Sequence, residues 1–104
     1  MVDKILKSEY CEEFDKLRKN RMATSYFKYG AIKDNYGEKL INAIDNLEIR
    51  LEKYKKTGNT EYLVDIANFA MIEYMYPQQE GAHFNSTDSE DNLVGMTINE
   101  LKES

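Results

Sequence analysis

Cysteine occurs once in the 104 residues, as Cys11, histidine once, as His83, and proline once, as Pro77. A lone cysteine forbids an internal disulfide and leaves any zinc centre to rest on other ligands. Its ordinary reading is a small apolar residue turned to the core beside Tyr10 and Phe14. His83 stands in Gly-Ala-His-Phe with no second histidine and no cysteine near it, so neither zinc nor a histidine-centred triad has support. There is no G-x-x-x-x-G-K-[ST] loop and no G-x-G-x-x-G, which removes the standard phosphate cradles. No apolar run approaches the roughly 20 residues of a bilayer span. The opening MVDKILKSEYC is too polar for a signal peptide. A soluble protein that stays in the cytoplasm and does not enter a membrane is the expectation. No internal repeat is visible.

What is present is a globular balance, with 41% hydrophobic and 32% charged residues, in a length that fits one domain. The charge is unevenly placed. Residues 1–76 hold 13 basic and 13 acidic side chains, so the whole net charge of −5 resides in residues 77–104. There Glu80, Asp88, Glu90, Asp91, Glu100 and Glu103 face only Lys102. Such an arm repels the phosphates of duplex DNA. The chain therefore divides into a helical body, 1–76, and an acidic arm, 77–104, that ends in a short helix signalled by the capping box Thr97-Ile98-Asn99-Glu100.

The fold class expected is all-α, with three main helices. Ser8 is a candidate N-cap, Glu9, Glu12 and Glu13 fill the first turn, and Tyr10, Phe14 and Leu17 share a face. This spacing predicts a helix from Glu9 to about Met22, extended to about Tyr29 and followed by a loop. The second helix, 38–56, carries Leu40, Ile44, Leu47, Leu51 and Tyr54 in a 4-3-4-3 seam and stops at Gly58. Asn59 or Thr60 then caps a third helix, 60–76, that is apolar nearly all round and is ended by Pro77. A linker of about three residues forces these two helices into an antiparallel hairpin. An apolarity so uniform asks for a central position or for a second subunit, and two hairpins closing into a four-helix bundle would make a homodimer.

Three groups of side chains could carry chemistry. Glu61, Asp65 and Asn68 fall within about 60° of one another on the third helix and form a polar stripe on a greasy rod. A buried carboxylate there must be paired, hydrogen-bonded or bound to a metal. Asp45, Glu48 and Glu52 lie at the margin of the second helix's seam. Lys16, Arg18, Lys19 and Arg21, followed by Tyr26 and Phe27, form a candidate site for a phosphate or single-stranded nucleic acid, or compensate a helix dipole.

The hairpin resembles the core of the all-α, MazG-like nucleoside triphosphate pyrophosphatases. Their signature is ExxE, a gap of 12 to 28 residues, and ExxD on the next helix. Here Asp45-Asn46-Leu47-Glu48 is followed, after 12 residues, by Glu61-Tyr62-Leu63-Val64-Asp65, and LVDIANFAMI is similar to the carboxylate-bearing helix. The first pair is DxxE and the second is ExxxD, one residue longer than the family pattern. The resemblance implies Mg2+ held by Glu48, Glu61 and Asp65 against a triphosphate, in keeping with magnesium's preference for oxygen ligands.

The segments RLEKYKKTGNTEYLVDIANFAMIEYMYPQ and AHFNSTDSEDN also resemble a family of short bacteriophage and prophage proteins. That resemblance implies a non-catalytic protein, without a cofactor, that binds a host protein such as an antiviral nuclease or defence complex and inhibits it. Its contact residues would be Tyr76, Glu80, Phe84, Asp88, Glu90 and Asp91. The favoured expectation is this interaction protein, and the alternative is a Mg2+-dependent nucleotide pyrophosphohydrolase or nucleotide binder.

Overall fold

The computed structural model describes residues 1–86, and over these the chain is helical without a strand. The helices are α1 (Val2–Glu9), α2 (Glu12–Tyr29), the single turn α3 (Ile32–Asn35), α4 (Ala43–Thr57) and α5 (Glu61–Met75). Asp88, Glu90, Asp91 and the terminal capping box lie outside the described residues.

The first expected helix is α2, which starts at Glu12 rather than Glu9, and a further helix that was not expected, α1, precedes it. Ser8 is not a cap; it lies inside α1 and donates from its hydroxyl to the Ile5 carbonyl. Tyr10 is extended, at φ −140° and ψ 149°, and breaks the rod. Cys11 then caps α2, its Sγ accepting the Phe14 N–H at 3.3 Å. Cys11 is exposed, which corrects the expectation of a core cysteine. A thiol can stand in for the oxygen of an ordinary N-cap because it too is an acceptor, though a weak one. The extension of α2 to Tyr29 is as the pattern predicts, and Gly30 at φ 85° ends it.

The hairpin is formed as expected. At its start Asn42 caps α4, with Oδ1 accepting the Asp45 N–H at 3.0 Å. This cap places the helix start at Ala43, so Leu40 sits in the preceding turn and is 74% exposed. The seam is correspondingly shorter: Leu47 and Tyr54 are half-buried, while Ile44 and Leu51 are exposed. Gly58 closes α4 in the left-handed region, φ 71° and ψ 8°, where a side chain would be strained. Asn59 accepts the Glu61 N–H at 3.0 Å on its side-chain oxygen and starts α5.

α5 packs on α4 and also on α2, which makes it central among the described helices. Its buried line is Val64, Asn68 and Ile72, at a spacing of four. With Ala43 these are the buried residues of residues 1–86, and the apolar ones number three. Tyr74 and Met75, expected under cover, are exposed.

The turn between α3 and α4 is tied down from two sides. The Leu40 and Ile41 amides both donate to the Asn35 carbonyl at 2.9 Å. Beyond α5, the Gln78 side-chain amide donates to the carbonyls of Tyr36, at 3.3 Å, and Ile41, at 2.6 Å. Glu73 Oε2 accepts the Gln78 N–H at 2.9 Å and holds that residue in place. Gly37 fits here because a Cβ would run into the Lys33 carbonyl.

Candidate functional site

The seam between α2 and α5 is polar, and this was not legible from the apolar pattern. Tyr10 and Leu17, expected on the inner face of the first helix, are exposed. Phe14, expected with them, is half-buried, and α2 turns Arg18, Arg21, Met22 and Ser25 inward with it. Asn68 Nδ2 donates to the Arg18 carbonyl at 3.1 Å. Arg21 pairs with Glu61 and, from Nη1 to Oδ1, with Asp65 at 3.3 Å. On the other side Arg50 of α4 reaches Asp65 Oδ2 through Nε at 3.4 Å. Asp65, with a side chain 16% exposed, thus bridges α2 and α4 through two guanidinium groups. The carboxylate of Glu61 raises the pKa of Arg21, chiefly by hydrogen bonding.

Arg21, Met22, Ser25, Arg50, Asp65 and Asn68 also help wall a cleft of about 440 Å³ between α2, the 30–41 segment, α4 and α5. Arg21 and Lys28 enter it from α2, Asn46 and Arg50 from α4, and Asp65, Asn68, Phe69 and Ile72 from α5. The Arg50 guanidinium lies over the Phe69 ring, 5.7 Å from its centre. Tyr36 closes one side, and burial raises its pKa above the ordinary 10.0, with Arg50 opposing. Asn68 is 5% exposed, and its Oδ1 has no hydrogen-bond partner.

The expected site residues therefore divide. Glu61, Asp65 and Asn68 do form one stripe, but arginines and a backbone carbonyl take them up. Glu48 is exposed on α4. No group of three or more Asp, Glu, His or Cys stands ready to hold a metal among the described residues. Of the basic run, Arg18 pairs with Asp15 at 2.8 Å, Lys19 with the same carboxylate at 3.3 Å, and Arg21 with α5. Only Lys16 of that set stands outside these pairs. Arg50 and Lys28 were not singled out by sequence; Arg50 follows Glu48 on α4 with nothing to mark it as the partner of Asp65.

A second feature is apolar. In α1 Val2, Ile5 and Leu6 fall within about 100° of the wheel. All three are exposed, and no α1 residue is buried. At the end of α2, Tyr26 and Phe27 meet edge to face at 5.7 Å in the open, with Phe27 86% exposed. Phe84 is 83% exposed, Glu80 is exposed beside it in sequence, and Tyr76 is half-buried.

Compared with models of known families, with characterised proteins and with solved structures, the chain matches none. No helix among the described residues is long and apolar enough to cross a membrane.

Proposed function

We propose that this chain is a non-catalytic interaction protein whose exposed apolar residues dock on another protein. The observation that carries the reading is the disproportion between core and surface. Among the described residues three apolar side chains are buried, while Val2, Ile5, Leu6, Tyr26, Phe27 and Phe84 are among the large apolar side chains left in water. Exposed apolar side chains that lie together, as Tyr26 and Phe27 do, suit a contact surface. The phage-type resemblance supplies the class of partner, a host protein such as a nuclease or defence complex, and complex formation would inhibit it. The acidic arm then steers encounter with a basic partner.

A second copy of the chain is a further partner in this reading. Ile44, Leu51, Tyr74 and Met75 are exposed on the hairpin, and two hairpins joined there would make a four-helix bundle. The magnesium alternative has less behind it, because Asp65, its central ligand, already faces Arg21 and Arg50.

Capture from bacterial lysate tests the main reading. The full chain should retain a host protein that the Phe27→Ser and Phe84→Ser variants and the chain lacking 80–104, which keeps Gln78 on the Tyr36 and Ile41 carbonyls, lose, with helical circular dichroism unchanged in all. Equal retention by all of them, or retention of nothing, rejects the assignment of these residues to a protein contact.

A further inference from the structure

The back of the hairpin, turned away from the cleft, is apolar on both helices. On α5 the cleft takes Asp65, Asn68, Phe69 and Ile72. Leu63, Ala70 and Tyr74 lie about 170° round the helix from them. Ala70 and Tyr74 are exposed, and Leu63 and Ile66 are half-buried. The acids of α5 are engaged elsewhere: Glu61 and Asp65 pair with Arg21, and Glu73 accepts the Gln78 N–H. On α4 the cleft takes Asn46 and Arg50, and the inward side carries Ala43, Leu47 and Tyr54. Ile44 and Leu51 lie about 70° beyond that inward side, away from Arg50, and both are exposed. The heptad seam of α4 is therefore split. Its d positions, Leu47 and Tyr54, are half-buried, while its a positions, Ile44 and Leu51, are open. An uncovered row of a positions is one side of a coiled-coil contact without its facing helix.

The charges beside this row say which helix fits. Glu48 and Lys55 occupy successive e positions of α4, and both are exposed. Lys55 also meets Glu52 at 3.6 Å, but both side chains are more than 60% exposed, so that pair contributes little. Two copies of α4 packed antiparallel about a two-fold axis near Leu51 set Glu48 of each against Lys55 of the other. Packed parallel, they set Glu48 against Glu48 and Lys55 against Lys55. The register of the hairpin, fixed by the reach of Arg50 to Asp65 and Phe69, brings Ile66 of α5 level with the same axis. Leu63 of one copy then comes near Ala70 of the other, a large side chain against a small one.

We propose that a second copy of this chain covers the back of the hairpin, with the two α4 helices antiparallel and the cleft left facing outward on each copy. This rests on the second-copy part of the reading above and does not involve Phe27 or Phe84.

Analytical ultracentrifugation of the full chain tests it, under reducing conditions that keep the exposed Cys11 from linking chains. The expected mass is twice 12.2 kDa. Ala70→Arg, at an exposed position, should give the mass of one chain with helical circular dichroism unchanged. Glu48→Lys and Lys55→Glu should each raise the dissociation constant at least about threefold, because two attractions become two repulsions. The double exchange should restore it. A one-chain mass for the full chain, a dimer that survives Ala70→Arg, single exchanges without effect, or a double exchange that fails to restore the dimer overturns the proposal. A two-chain mass that appears only when residues 80–104 are removed assigns the face to the acidic arm and overturns it too. Ala70→Arg should still retain whatever host protein the full chain retains, so loss of the dimer and loss of the host contact are read separately.

Discussion

Asn68 is the residue whose side chain ties α5 to the backbone of α2, and a single substitution tests it. Its amide joins α5 to the backbone of α2 across the polar seam. Asn68→Ala removes that bond, while the Arg18 carbonyl keeps its place in the α2 ladder, so stability should fall by about 1 kcal/mol. Urea unfolding followed by circular dichroism measures the loss, and an unchanged midpoint would mean that the bond contributes nothing. Tyr36 offers a test by pH. Burial raises its folded-state pKa above the ordinary 10.0 of the unfolded chain. Its contribution is therefore fully present below pH 10.0 and is lost as pH rises through the higher folded value. Tyr36→Phe should flatten the fall in stability above about pH 10. Asp15 runs the other way. Its hydrogen bond with Arg18 lowers its pKa, so its contribution is present above the ordinary 3.8 and is lost as pH falls through the lower folded value.

Among the helices, the caps decide where elements begin and end, and they explain which parts of the sequence were legible. Gly58 and Asn59, whose side chain accepts the Glu61 N–H just before the Thr60 cap, are local signals, and the hairpin they define was readable from the chain alone. The start of α4 was misplaced because Leu40 continues the apolar period, yet the Asn42 cap outweighs periodicity there. The start of α2 was set too early, at Glu9 with Ser8 as cap, because a cysteine seldom serves as a cap, and α1 before it was not expected. The arginine bridges to Asp65 were invisible for a different reason: they join residues 15 to 44 positions apart, and no periodicity encodes such pairs.

Asn42→Ala should destabilise the chain by about 1 kcal/mol through the lost cap. Gly58→Ala should do so by about 1 kcal/mol through strain at a positive φ. Thermal unfolding checks both, and no change in Tm for either would contradict the cap assignment. α1 makes an opposite prediction. Eight residues with none buried form a marginal helix alone. Its amides should exchange with solvent far faster than those of α4 and α5 in the isolated chain, and should slow when a partner covers Ile5 and Leu6.

For the molecule as a whole, the central claim is that a small core and a large apolar surface belong to a protein that works by contact. Light scattering on the full chain addresses the second copy. A mass near twice 12.2 kDa supports the bundle of two hairpins, and a mass of one chain at all concentrations removes it. The contact with a host protein is addressed most directly by carbene footprinting of the full chain, first purified and then in bacterial lysate. Phe27 and Phe84, 86% and 83% exposed, should label heavily in the purified protein and lose most of that label in lysate, while exposed Lys53 on α4 labels equally in both. Equal labelling of Phe27 and Phe84 in the two conditions would contradict the claim that these side chains meet another protein.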